Sequence, residues 1–259
     1  MFSALNTQYE VSGRIRAASV GGIGAIHTLA RSLGLPQAIN QQLQLLKRHL
    51  PYFESDHVLN ICYNVMAGHT CLEDLELLRQ DESHMDILGA QRIPDPTTGG
   101  DFLRRFERND VIVLMDAINL IRQMIWKKLP VGLRQKAVID ADGAMAPTSG
   151  EKKEGMSLSY NGIWGYCPLL VSLANFREPL FIVNRPGNVP SHTDAPHWID
   201  KAIDLCKGSF KEILLRGDTD FSLTAHFDRW SAAQVKFVFG FDANAKVKAI
   251  ADELDVACW

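Results

Sequence analysis

Apolar residues recur at helical spacing through the first half of the chain and in short continuous or alternating runs through the second half. The pattern predicts an all-α region followed by an α/β region. From Gly21, residues Ile23, Ile26, Leu29, Ala30 and Leu33 mark one helix, stopped by Gly34 and Pro36. A second helix is predicted from Pro36 to Leu50, ended by Pro51. Ser55 and Asp56 read as the cap of a third, with Val58, Leu59, Cys62, Val65 and Met66 on one face until Gly68. Leu72 to Leu78 and Met85 to Leu88 continue in the same style. After the extended Ile93-Pro-Asp-Pro entry, Thr97 or Thr98 is expected to cap a helix beginning near Gly100 that shows Arg104, Arg105 and Arg108 on successive turns. A long helix from Val111 to about Leu129 ends at Pro130.

In the second half, Lys136 to Gly143 and Glu212 to Asp218 read as buried strands that end in acid, the first delivering Asp140 and Asp142 and the second Asp218. Between them, Ala144 to Gly165 is a Gly, Ser and Lys rich excursion. Pro168 to Ala174 and Pro179 to Asn184 form a hairpin of strands, and Thr193 to Cys206 a helix. A helix from Ser222 to Trp230 and a strand from Val235 to Phe239 complete the order. Three strands, a helical crossover and an acid-tipped strand make the layout of an RNase H-like core. In that layout the first and fourth strands are neighbours, so Asp142 and Asp218 meet. Two carboxylates about 4 Å apart repel by roughly 4 kcal/mol at an effective dielectric near 20, and a divalent cation between them relieves this. Oxygen-only ligation favours Mg²⁺ or Mn²⁺. Asp140 and Asp142 leave the strand on one face, and spacing alone does not separate them as first ligand.

Composition narrows the alternatives. Across 259 residues, 46% hydrophobic and 22% charged is ordinary for a globular protein. No apolar run approaches the roughly 20 residues that span a bilayer, so a cytoplasmic protein is expected. Five scattered cysteines without a Cys-x-x-Cys pair signal neither a disulfide framework nor zinc. The net charge of -3 means that any DNA-binding surface is a local patch. Candidates are Arg104, Arg105 and Arg108, whose alternative is a solvated basic face paired with Asp101, Glu107 and Asp110; Lys152 and Lys153 beside the rings of Tyr160, Trp164 and Tyr166; and Arg185, Asn188 and His192 in the loop after the third strand. The last three either touch DNA or hold the site. Asp220 is expected to help start the following helix. A two-aspartate phosphohydrolase needs a phosphate-cradling glycine loop after the first strand, and Gly143-Ala-Met-Ala-Pro-Thr-Ser-Gly is unlike one.

At Leu50-Pro-Tyr-Phe-Glu-Ser-Asp-His, Asp74-Leu-Glu-Leu-Leu-Arg, Ile93-Pro-Asp-Pro-Thr-Thr, Asp101-Phe-Leu-Arg-Arg-Phe, Ile139-Asp-Ala-Asp-Gly, Tyr160 to Tyr166, Val183-Asn-Arg-Pro-Gly-Asn and Leu214-Leu-Arg-Gly-Asp-Thr-Asp-Phe, the chain resembles DDE transposases of bacterial insertion sequences, in the group numbered 1380. The resemblance implies a loose arm (1–20), a helical DNA-binding and assembly region (21–134), and a partial RNase H-like catalytic domain (135–259). It implies DNA cleavage and strand transfer with Mg²⁺ held by two aspartates and a glutamate. The partners would be element terminal repeats and target DNA, with a homodimer as the complete enzyme and a nucleoid-associated location. Asp142 is preferred over Asp140 as the first aspartate, and Asp218 is the second. The chain departs from the family pattern at Ala144 and Val189. The family's glutamate lies beyond the last strand, after an inserted segment, and Glu253 comes too soon to match it. A C-terminally truncated transposase, inactive alone, is therefore expected. The alternative is a non-catalytic fragment that binds element ends or pairs with an intact transposase and inhibits it.

Overall fold

The computed structural model describes Gly13 and residues 20–150 and 152–258, so most of the loose arm expected over 1–20 lies outside the described residues. The chain divides into two compact units inside one long helix, at Ile121/Arg122. Among the described residues no helix is long and apolar enough to cross a membrane.

The first unit is helical: α1 (Gly22–Ser32), α2 (Leu35–Gln42), α3 (Glu54–Met66), α4 (Leu75–Gln80), α5 (Glu82–Leu88), α6 (Pro96–Leu103) and the start of α7 (Arg108–Lys128). Among the described residues its apolar stripes meet in clusters that include the following. One joins Ile23, Leu59, Tyr63, Leu78, Leu88 and Ile93; another joins Ile39, Leu43 and Phe102. Burying each large side chain contributes about 1.5–3 kcal/mol.

Several sequence expectations fail here. Helix α3 starts at Glu54, capped at Phe53 rather than at Ser55 or Asp56, and Cys62, Val65 and Met66 of its expected apolar face are exposed, while Leu59 and Tyr63 are buried. Helix α2 ends at Gln42 rather than Leu50, because Leu43 turns extended and the Leu45 and Leu46 amides donate to the Glu54 carboxylate, 3.0 Å each. Helix α6 starts at Pro96, not near Gly100. Asp95 is its cap, accepting from the Thr98 amide at 2.9 Å, while Pro96 sits at a position where no amide is needed. The helix then stops at Leu103, and α7 begins at Arg108, with the Asp110 carboxylate taking the Glu107 amide at 2.9 Å. Arg104, Arg105 and Arg108 thus stand at a corner between two helices, not along one helical face.

The second unit is built on a five-stranded mixed sheet. Its strands are β1 (Lys136–Gly143), β5 (Leu169–Leu173), β6 (Glu178–Val183), β7 (Glu212–Gly217) and β8 (Lys236–Phe239), in the order β6-β5-β1-β7-β8. Strand β1 runs antiparallel to β5 and parallel to β7. With α8 (Ala195–Cys206) packed on β1, β5 and β6, this is an RNase H-like fold. The burial alternates with the pleat. Ala137, Ile139 and Ala141 of β1, Val171 of β5 and Ile213 and Leu215 of β7 are buried, as are Trp198, Ile199, Ala202 and Ile203 of α8. Asp140 and Asp142 therefore lie on the opposite face.

The Gly, Ser and Lys rich excursion contains a second sheet, β2 (Ala146–Pro147), β3 (Ser157–Leu158) and β4 (Trp164–Tyr166), in the order β2-β4-β3. Its strands are too short for periodicity to show. The Asn161-Gly162 dipeptide, with Gly162 at φ 75°, is the hairpin signal present in the sequence. The helix expected over Ser222 to Trp230 is instead a single-turn 3₁₀ segment, Thr224–His226, running into short α9 (Phe227–Ala232). Helix α10 (Ala245–Asp252) follows β8.

Candidate active site

Strand pairing does most of the positioning. Asp140 of β1 pairs in register with Arg216 of β7. The pairing ends there; Asp142 lies two residues further along β1, and Asp218 two residues beyond Arg216, just past the end of β7. Asp142 and Asp218 are both exposed. Asp218 is extended at φ -78°, ψ -166°, and its Oδ1 accepts from the Asp220 amide at 3.0 Å. It is thus Asp218, not Asp220, that starts the turn after β7, because its carboxylate reaches the free amide two residues on. Asp140 is engaged differently. Arg216 grips it with a two-pronged pair, Nε to Oδ1 at 2.8 Å and Nη2 to Oδ2 at 2.6 Å. The carboxylate raises the pKa of Arg216 further above its ordinary value. Among the described residues no group of three or more His, Cys, Asp or Glu side chains stands close enough to hold a metal ion.

Beside the end of β1 lies a cavity of about 440 Å³. Gly143, Tyr160, Asn161, Asn188, Ser191 and Asp220 are among its lining. A Cβ at Gly143 would meet Ser191 Oγ at 2.9 Å, so the loop after β6 presses directly on the acid-tipped strand. That loop is held by Arg185, which is only 5% exposed. Its Nε donates to the Cys167 carbonyl at 3.0 Å, and Nη1 to those of Ser191 at 2.9 Å and Thr193 at 2.8 Å. Burial pulls its pKa below the ordinary arginine value. Of the two roles open to Arg185, holding the site is the one its surroundings support. Gly187 completes the staple: its amide donates to the Gly165 carbonyl at 3.1 Å. A Cβ there would come within 2.6 Å of the Ser157 carbonyl, a collision with backbone. The motif Val183-Asn-Arg-Pro-Gly-Asn therefore folds the loop with Arg185 and Gly187, and turns Asn188 out to the cavity.

The remaining candidates are at the surface. Asn188 and His192 are exposed, as are Lys152 and Lys153, with Lys153 donating to the Thr148 hydroxyl. Tyr160 is 97% exposed and Trp164 55%, whereas Tyr166 is half-buried and donates its hydroxyl proton to the Glu154 carbonyl at 2.7 Å. In the helical unit Arg104 pairs with Asp101 at 2.7 Å, Arg105 donates to the Leu45 carbonyl at 3.3 Å, and Arg108 is exposed. Sequence reasoning missed Arg216 as the partner of Asp140. The equal spacing of Asp140/Asp142 and Arg216/Asp218 on adjacent strands was the signal.

Comparison with known proteins adds the following. The profile of the family described as transposase DDE domain group 1 matches residues 5–259. No curated protein matches the chain. Among solved structures, the chain is matched by a piggyBac transposase in a synaptic complex with hairpin DNA, determined by cryo-electron microscopy. That match has 10% identity and a TM-score of 0.33, and covers 95% of this chain and 48% of the other. The chain thus spans about half the length of that transposase.

Proposed function

The chain belongs to the transposase DDE domain group 1 family, and from that premise we propose that it serves DNA transposition by metal-dependent phosphodiester cleavage and strand transfer. The element we infer is an insertion sequence of the 1380 group, with terminal repeats and target DNA as partners and a homodimer as the assembled form. The observation that carries this reading is the pair of strand ends, with Asp142 near the end of β1 and Asp218 just past β7 on neighbouring parallel strands.

The donor set fits a hard divalent cation, because both groups are carboxylates and both are exposed. Asp142 and Asp218 would hold Mg²⁺ or Mn²⁺, which when bound polarises the scissile phosphate and activates the attacking oxygen. Asp218 offers Oδ2, since Oδ1 holds the turn. Asp140 keeps Arg216 in place beside the site and so tempers the negative charge that DNA would meet. Asn188, His192, Lys152 and Lys153 grip the strand near the cavity, with Tyr160 and Trp164 as faces on which unpaired bases stack. Arg104, Arg105 and Arg108 contact phosphates from the helical unit.

A second reading, a non-catalytic DNA-end binder or an inhibitory partner of an intact transposase, draws support from the prior commitments of the carboxylates. Asp140 is paired with Arg216, and two remaining ligands bind metal more weakly than three.

The test is calorimetric Mn²⁺ titration together with cleavage of end-labelled DNA, on wild type, Asp142→Asn and Asp218→Asn. Asparagine is chosen because it still caps the turn at 218. Metal binding and nicking lost in both variants support the enzyme. DNA binding that survives both substitutions, without cleavage by wild type, supports the second reading. Metal affinity unchanged in both variants refutes the assigned site.

A further inference from the structure

We infer that residues 43–50, the first part of the loop between α2 and α3, form a second phosphate-contacting element, which grips the backbone of duplex DNA together with the α6–α7 corner and is positioned by the buried carboxylate of Glu54. This rests on the reading of the chain as a DNA-binding protein.

The apolar pattern would carry α2 on to Leu50. A carboxylate with 1% exposure prevents it: Glu54 must be matched by donors, and it takes the amides of Leu45 and Leu46. The loop is pinned at both ends. Leu43 is buried against Ile39 and Phe102. His49 lies with Nε2 at 3.4 Å from Glu54 Oε2 and stacks on Phe53, ring centroids 5.5 Å apart. Between these anchors, Lys47 and Arg48 are exposed.

The same loop is tied to the arginine corner, where Arg105 Nη1 donates to the Leu45 carbonyl. Lys47 and Arg48 therefore stand two and three residues from the point where Arg105 touches down, and Arg104 and Arg108 flank it. The nearby acids are largely occupied. Asp101 pairs with Arg104 and Asp110 caps α7, leaving Glu107 as the acidic neighbour. Five cations on two segments linked by the bond from Arg105 to the Leu45 carbonyl suit a row of phosphates, which fix position without reading sequence. The motif Leu50 to His57 acquires a purpose: Glu54 and Phe53 shape the loop, while Asp56 starts α3 by accepting from the Phe53 amide at 2.8 Å.

The experiment is fluorescence anisotropy of the full chain with a fluorescein-labelled duplex of random sequence, over a range of salt concentrations. Wild type is compared with a Lys47→Ala/Arg48→Ala double variant and with Glu54→Gln. If both cations touch phosphate, the slope of log affinity against log salt shrinks by about 0.9 for each, close to two in the double variant. Glu54→Gln removes a negative charge, so a purely electrostatic effect would tighten binding, whereas loss of positioning weakens it. A salt slope unchanged in the double variant, with wild type binding, overturns the inference alone. No duplex binding by wild type at low salt overturns it together with the DNA-binding reading. Both residues of the double variant lie on the surface, so the outcome does not depend on whether Glu54→Gln folds.

Discussion

Two arginine-bearing segments that read alike in sequence end in opposite surroundings. In the loop after β6, Arg185 is buried and bonded to backbone carbonyls. At the α6–α7 corner, Arg104, Arg105 and Arg108 are exposed. The difference lies in what each backbone leaves unpaired. At the corner, the carbonyls of Gly100, Phe102 and Leu103 receive the amides of Arg104, Arg105 and Phe106, so helical turns use them up. The loop has no such ladder, and the carbonyls of Ser191 and Thr193 converge on a guanidinium whose planar fork meets several acceptors at once. A buried acceptor without a donor costs about 1–3 kcal/mol. An arginine is drawn inside where the chain cannot satisfy itself, and left to solvent where it can.

The largest expected effect follows directly. Arg185→Ala should destabilise the sheet unit by about 2–4 kcal/mol by stranding several acceptors. Arg185→Lys should recover only a minor part, since an ammonium cannot span them. Urea unfolding of the full chain measures both. A cost for Arg185→Ala no greater than that of a surface substitution would erase the contrast between the two segments.

The helical unit offers a different kind of buried polar group, the histidines His57 and His84. Among the described residues neither ring nitrogen of His84 has a hydrogen-bond partner, nor has Nδ1 of His57, and both residues are buried. Burial lowers the pKa of each from 6.5, against the opposing pull of Asp81 on His84 and of Asp56 on His57. The folded unit therefore declines protons that the unfolded chain accepts below about pH 6.5. Stability should be flat above that pH and fall as the pH drops below it, by at most about 1.4 kcal/mol per pH unit for each proton declined. Urea midpoints at successive pH values check this, and His84→Leu should flatten the slope. An undiminished slope in that variant would assign the acid sensitivity elsewhere.

How much of this was legible depended on the range of the deciding interaction. The acid-tipped strands were readable, because continuous apolar runs ending at Asp142 and Asp218 carry their own boundaries. The sheet order followed from the hairpin and the helical crossover. What was not readable was set from a distance or by very short segments. Glu54 truncates α2 from several residues downstream. Asp95 outcompetes Thr97 and Thr98 as a cap because Pro96 already fits the first helical position. The small sheet has strands of two and three residues. Spacing alone did not separate Asp140 from Asp142, and the Arg216 partner of Asp140 emerged only from the register with β7. Whether Arg185 touches DNA or holds the loop was open in sequence, because its fate depends on carbonyls of Cys167, Ser191 and Thr193 that no local pattern announces.

The smallest expected effect on stability is at Arg104. Its pair with Asp101 is 2.7 Å long, but the two side chains are 74% and 63% exposed. Water screens such a pair and holding two long side chains costs entropy, so Arg104→Ala should leave the urea midpoint where it was. Its effect belongs to binding. If the corner is free for phosphate because its backbone is already satisfied, the salt slope of duplex binding should shrink by about one for this substitution. Arg185→Lys, in any population that remains folded, should leave that slope unchanged. Should Arg104→Ala lower stability while the slope stays fixed, the corner arginine is a structural group like Arg185, and exposure has ceased to distinguish the two.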